Sequence, residues 1–234
     1  MSSTTISEQE TASIGFAAAD RIQQSLVAAA EKRVLIWLAE RTPAWINSDH
    51  LTILGFVSQC LAGACYALAR FHPDALLLGI VFIVLNWLGD SLDGTLARVR
   101  NRQRLRYGFY VDHITDSIAA FFLMGGMALS GYVHPGIALG MLVAFLMLSI
   151  EAYLATYTLG KFRLSHWKLG PTEIRILLAM GNLALLWHPR IRILGREVLL
   201  FDLGGIVAII GMGLMLIMSA IRHTAQLYDE ERLA

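Results

Sequence analysis

ALLLGIVFIVLNWLGDSLDGTLARVRNRQRLRYGFYVDHITD, residues 75–116, is the stretch on which the fold turns. It opens as a nearly unbroken apolar run and then meets Asp90 and Asp93. A loop carrying Arg98, Arg100, Arg102, Arg104 and Arg106 follows. The chain turns apolar again behind Asp112 and Asp116. A long apolar run that stops at a basic loop and then resumes is the pattern of two membrane-crossing helices joined on one side of a bilayer.

The rest of the chain fits that start. Of its 234 residues 56% are hydrophobic and 16% charged, with mean hydropathy +0.57, whereas soluble domains carry about 25% charged residues. Six segments approach the roughly 20 apolar residues that a spanning helix needs: 51–71, 75–97, 107–129, 137–158, 171–188 and 198–221. The fold expected is an all-α membrane protein of six transmembrane helices. An N-terminal amphipathic helix precedes them, in which Val34, Leu35, Trp37 and Leu38 recur at helical spacing beside Lys32, Arg33, Glu40 and Arg41. Such a helix lies in the interface plane or packs on the protein's own cytoplasmic face.

The corresponding divisions are a flexible polar tail over 1–25, the amphipathic juxtamembrane helix over 26–45, the six-helix domain over 46–225 and a C-terminal tail over 226–234. The first ten residues lack the basic start and apolar core of a signal peptide. Six crossings put both termini on one side. The bias of Lys161, Arg163, Lys168 and the 98–106 arginines against Arg70, Arg190, Arg192 and Arg196 assigns that side to the cytoplasm. A net charge of +1 offers no basic field for nucleic acid, and Cys60 and Cys65, within an apolar stretch, read as packing residues.

Asp90 and Asp93 are three apart at the end of one helix, and Asp112 and Asp116 four apart at the start of the next, so each pair shares a face. A short loop makes the two helices antiparallel neighbours, which brings four carboxylates to one membrane depth. An ionised Asp at a helix centre costs about 2.5–3.5 kcal/mol on insertion scales, and mutual repulsion adds to that. Nearby arginines offset part of the charge; a hard divalent cation does so more fully. His113 lies off the acidic face.

These residues resemble a known family. The spacing D-x2-D-G-x2-A-R-x9-G-x3-D-x3-D, filled by Asp90, Asp93, Gly94, Ala97, Arg98, Gly108, Asp112 and Asp116, is similar to the signature of the CDP-alcohol phosphotransferases. The resemblance implies two divalent cations, Mg2+ or Mn2+, held by Asp90, Asp93, Asp112 and Asp116. Asp116 would be the general base toward the acceptor hydroxyl, and CMP would leave. It further implies a donor nucleotide site of Thr52, Asp90, Gly94, Ala97, Arg98 and Gly108, and a homodimer. Residues 48–52, SDHLT, keep only the threonine of the family's Pro-Asn-x-(Leu/Ile)-Thr stretch. Gly94 lets a flat base approach the backbone or serves helix packing, and Gly108 permits close approach of two helices. Arg98 either forks onto a pyrophosphate oxygen or, like Arg100 and Arg102, holds the loop in the cytoplasm.

Lys161, Arg163 and Arg175 are candidates for an acceptor pocket; the competing assignment is topological, with a Glu173–Arg175 surface pair. Glu151, deep in the fourth span, should face a partner or a cavity. Pro171 and Glu173 suit a helix start, and Gly136 and Gly140 form a GxxxG pair for close helix contact. CDP-diacylglycerol with a small polar alcohol is the preferred substrate pair. A CDP-choline or CDP-ethanolamine donor with diacylglycerol as acceptor is the alternative. A cation transporter would also use intramembrane aspartates, but it leaves the Gly94 and Ala97-Arg98 spacing unexplained. A non-catalytic relative would have no need of four intact aspartates.

Overall fold

The computed structural model describes residues 28–159, 170–193 and 195–232. The tail over 1–25 and the loop cations Lys161, Arg163 and Lys168 lie outside the described residues. The fold is α1 (Ala28–Arg41), α2 (Ser48–Ala69), α3 (Ala75–Val99), α4 (Leu105–Ser130), α5 (Pro135–Leu159), α6 (Pro171–Trp187), a hairpin of β1 (Arg190–Ile193) and β2 (Arg196–Leu199), and α7 (Leu200–Glu230).

Local chemistry sets these ends. The Asn47 side chain accepts from the His50 amide at 3.1 Å while the His50 ring accepts from the Asn47 amide at 3.2 Å, which caps α2 from both directions. Gly131, with φ 77°, closes α4 in the left-handed conformation. Pro171 opens α6, and the Glu173 carboxylate accepts from the Gly170 amide at 2.9 Å.

Among the described residues, five helices are long and apolar enough to cross a membrane: α2, α3, α4, α5 and α7. The expected fifth span is α6, but its 17 residues rise only about 26 Å, against a hydrocarbon core of about 30 Å. The apolar run expected to begin the last span at residue 198 starts instead in β2. Arg190, Ile191, Arg192 and Ile193 alternate in polarity, and they pair antiparallel with Leu199, Val198, Glu197 and Arg196. Arg190, Arg192 and Arg196 therefore belong to a polar hairpin. At the other end α7 runs to Glu230, so part of the expected tail from 226 is helical.

The helices form an arc in the order α6, α3, α2, α4, α5, α7, and α7 touches α6 to bring the ends together. Without a hydrophobic drive between helices in lipid, close packing carries association, and glycines permit it at two places. A Cβ at Gly89 would lie 2.4 Å from the Gly55 amide nitrogen, and one at Gly126 would lie 1.9 Å from the Gly63 carbonyl oxygen. Gly136 meets only its neighbour His134, and Gly140 meets Ile209, so the 136/140 pair does not act as a joint contact. Gly108 faces open space rather than another helix, which removes the expected packing role.

Helix α1 lies along α3. The Trp87 indole donates to Glu31 at 2.8 Å, and Leu35 and Ala39 share a buried cluster with Leu92 and Leu96. The Arg100 guanidinium donates to the carbonyls of Thr42 at 2.6 Å and Ile46 at 2.5 Å. Packing on the protein itself is thus visible, while Val34 and Trp37 remain 47% and 53% exposed. Arg100, expected only to hold the loop on its side, fastens the α1–α2 linker.

Candidate active site

The acidic ends of α3 and α4 meet beside the start of α2. Asp90, Asp112 and Asp116 each present a carboxylate oxygen, and these atoms all lie within 4.8 Å of one another. Asp93 stands apart from that trio but lines the same cleft, together with Thr52, Gln59, Asn86 and Thr115. The helix spacing accounts for this split. Residues three apart are offset by about 60° around a helix axis, so Asp93 points toward α2 when Asp90 points toward α4. The Thr52 hydroxyl donates to Asp93 Oδ2 at 2.7 Å, and the Ser48 hydroxyl donates to the Asp93 carbonyl at 2.9 Å. Thr52, expected near the nucleotide, is therefore the hydroxyl that orients an aspartate.

Arg175 is in the acidic cluster itself. Its Nη2 donates to Asp90 Oδ2 at 2.6 Å and its Nε to Asn86 Oδ1 at 2.8 Å. Asn86, 6% exposed, is fixed in turn: its amide group donates to the Gly55 carbonyl and to Gln59 Oε1, both at 3.0 Å. The surface pair with Glu173 is replaced by this arrangement, because Glu173 caps α6. Asn86 and Gln59 were missed in the sequence, yet a polar amide inside an apolar span was the available signal.

Gly94, Ala97, Arg98, Gly108, His113 and Glu151 do not line that cleft. Arg98 is exposed and folds back along α3, its Nη2 donating to the Thr95 hydroxyl at 3.0 Å. A Cβ at Gly94 would meet only that guanidinium, at 3.4 Å. The surface at Gly94 and Gly108 is thus open apart from one movable side chain, and Ala97 follows Gly94 by less than one turn. The His113 ring stacks on Phe109 with centroids 4.1 Å apart and meets Tyr153 edge-on at 4.9 Å, while its Nδ1 lies 3.5 Å from Asp112 Oδ2. Glu151 does have the expected partner, His223 of α7, with Oε1 and Nδ1 2.6 Å apart.

Carboxylate oxygens brought this close, with no thiolate or imidazole among the three, suit a hard divalent cation.

An apolar bundle with five helices of spanning length is that of an integral membrane protein, here with an acidic cluster where α3 ends and α4 begins. The sequence matches the model of the family described as CDP-alcohol phosphatidyltransferase over residues 45–220, which is most of the chain. The chain belongs to that family, a family of transferases. It is also similar to cholinephosphotransferase 1 of Gallus gallus, with 26% identity over 185 residues that cover 73% of this chain and 54% of the relative. The chain thus spans about half the length of the curated relative it matches.

Proposed function

We propose that this protein transfers a phospho-alcohol group from a CDP-linked donor to a hydroxyl acceptor, releasing CMP. The observation that carries the reading is the convergence of Asp90, Asp112 and Asp116 within one cleft, in a chain whose family match spans the same helices. Asp90, Asp93, Asp112 and Asp116 would hold two divalent cations, Mg2+ or Mn2+. Bound there, these supply charge neutralisation and alignment of pyrophosphate oxygens.

The chain's own residues do the rest. Asp116 accepts the acceptor hydroxyl's proton as that oxygen attacks the donor phosphorus; a P–O bond forms and the bond to CMP breaks. Such a base contributes about 10²–10⁴-fold. Thr52 keeps Asp93 in place. The open surface at Gly94, Ala97 and Gly108 admits the nucleotide, and Arg98 swings from Thr95 to a pyrophosphate oxygen. Lys161 and Arg163 join Arg175 on the acceptor side. We assign α6 as a sixth, shorter crossing, with α1 at the interface, both termini cytoplasmic and the protein a homodimer.

Two donor arrangements fit this chemistry. One is CDP-diacylglycerol with a small polar alcohol. The name of the chicken relative favours the converse, a CDP-aminoalcohol delivering its phospho-alcohol to diacylglycerol. Purified protein with Mg2+ or Mn2+ should release CMP in one of two panels: CDP-diacylglycerol with polar alcohols, or diacylglycerol with CDP-choline and CDP-ethanolamine. Asp116→Asn should lower the productive rate at least about a hundredfold. No CMP in either panel, or full activity in Asp116→Asn, would refute the assignment.

A further inference from the structure

We infer that Arg175 is a built-in counter-ion that competes with a divalent cation for Asp90, and so sets the metal affinity of the cluster. This rests on the metal reading of the preceding subsection but concerns a residue that the metal set does not include.

Three carboxylates with oxygens within 4.8 Å of one another repel strongly where water is scarce. Arg175, among the described residues, answers that repulsion within hydrogen-bond distance. Arg175 Nη2 is 2.6 Å from Asp90 Oδ2, and Asp90 is one of the three carboxylates that converge.

The guanidinium is not a surface group that happens to reach inward. The Arg175 and Asp90 side chains are 16% and 24% exposed. The Nε is held by Asn86 Oδ1, and Asn86 is held by Gly55 and Gln59. The α6 backbone is set by its own fixtures, since Thr172 donates to Glu31 at 2.7 Å one turn before Arg175. Arg175 is therefore preorganised against Asp90 by groups on α2, α3 and α1.

Such a cation stabilises the cluster before any metal arrives. The same contact opposes the metal in two ways: it occupies an oxygen of Asp90, and it places a positive charge beside an incoming double charge. Removing it should tighten metal binding while weakening the metal-free protein. A purely structural arginine would lower stability without tightening metal binding. An arginine that shapes the carboxylates into a metal site would give weaker binding when lost.

The test reads metal directly. Purified full chain in lipid nanodiscs is titrated with Mn2+, free Mn2+ being followed by its electron paramagnetic resonance signal, for the native protein and Arg175→Gln. The variant should bind on the order of tenfold more tightly. Its melting temperature should fall in EDTA, and Mn2+ should raise it by more than it raises that of the native protein. Arg175→Lys keeps the charge but loses the two-point grip, and should show a smaller gain; it serves if Arg175→Gln does not fold. Mn2+ binding by the native protein with equal or weaker binding by both variants would overturn the inference alone. No Mn2+ binding by any of them would overturn it together with the metal reading.

Discussion

The two halves of the bundle hold together by different means. In α2, α3 and α4, 39%, 39% and 33% of the most apolar window is buried; in α5 and α7 the share is 17% and 11%. The first half brings backbones together at Gly55–Gly89 and Gly63–Gly126. The second meets through side chains: a Cβ at Gly140 or Gly205 would encounter Ile209 Cδ1 at 2.9 Å or Ile137 Cγ2 at 2.5 Å. Its polar ties include Glu151 to His223 and the His134 amide to Asp202. The contrast follows function. Carboxylates that must stay within a few ångströms of one another need helices whose spacing cannot drift, and only backbone contact without intervening side chains fixes spacing so closely. The outer half has lipid-facing surface to cover, and flexible apolar side chains suffice there.

If this contrast is real, the largest stability loss should come from adding one methyl group in the first half. Gly126→Ala puts a Cβ 1.9 Å from the Gly63 carbonyl oxygen and 2.4 Å from its carbon. Backbone cannot rotate away as a side-chain tip can, so α2 and α4 must part, at about 3 kcal/mol or more. Gly205→Ala meets the Ile137 Cγ2 branch methyl and the tip of Met141, side-chain atoms rather than backbone, and should cost less, about 1–2 kcal/mol. Gly211→Ala meets nothing within 4 Å and should be neutral or slightly stabilising through helix propensity. Thermal unfolding in one detergent ranks the three, and equal losses at Gly126 and Gly205 would erase the distinction.

The same contrast governs what could be read from sequence. Asp90, Asp93, Asp112 and Asp116 were legible because their spacing is local and their presence beside apolar runs is costly enough to demand a reason. Helix positions were legible from apolar length, α6 over 171–187 included; the hairpin was not, because an apolar-length criterion runs the last span back through Val198 and Leu199. The Arg-Ile-Arg-Ile alternation ahead of Gly195 did carry the strand signal. Contacts between distant residues left no such mark. Arg175 reaches Asp90 from 85 residues away, and nothing near either residue in sequence announces the pair. Glu151 could be assigned a partner from its cost in the bilayer, but His223, 72 residues on, could not be singled out among the helix-seven side chains.

That pair offers an intermediate effect. Glu151 and His223 side chains are 14% and 17% exposed, so Glu151→Ala removes a charge-assisted hydrogen bond where little water can replace it. The expected loss is about 1.5–3 kcal/mol, read as a lower unfolding temperature. Because the pair joins α5 to α7, Mn2+ binding at the acidic cluster should be unchanged within error. A variant that lost Mn2+ affinity along with stability would show that the outer half also sets the geometry of the inner one.

A smaller effect than that of Glu151→Ala belongs to the attachment of α6. Glu31 Oε1 accepts from Thr172 at 2.7 Å and from Trp87 at 2.8 Å, so this one carboxylate joins α1, α3 and α6. Thr172→Val removes a single donor and keeps the shape of the side chain. Trp87 still serves Glu31, so no charge is orphaned and the cost should be about 1 kcal/mol. Global unfolding temperature should fall less than in Glu151→Ala. The informative readout is local: amide hydrogen exchange should quicken in the first turns of α6 and stay unchanged at the Gly63–Gly126 contact, since exchange reports the opening free energy of each segment separately. Faster exchange along α2 and α4 would mean that α6 helps to set their spacing. The rigid half would then have to include the short helix that carries Arg175.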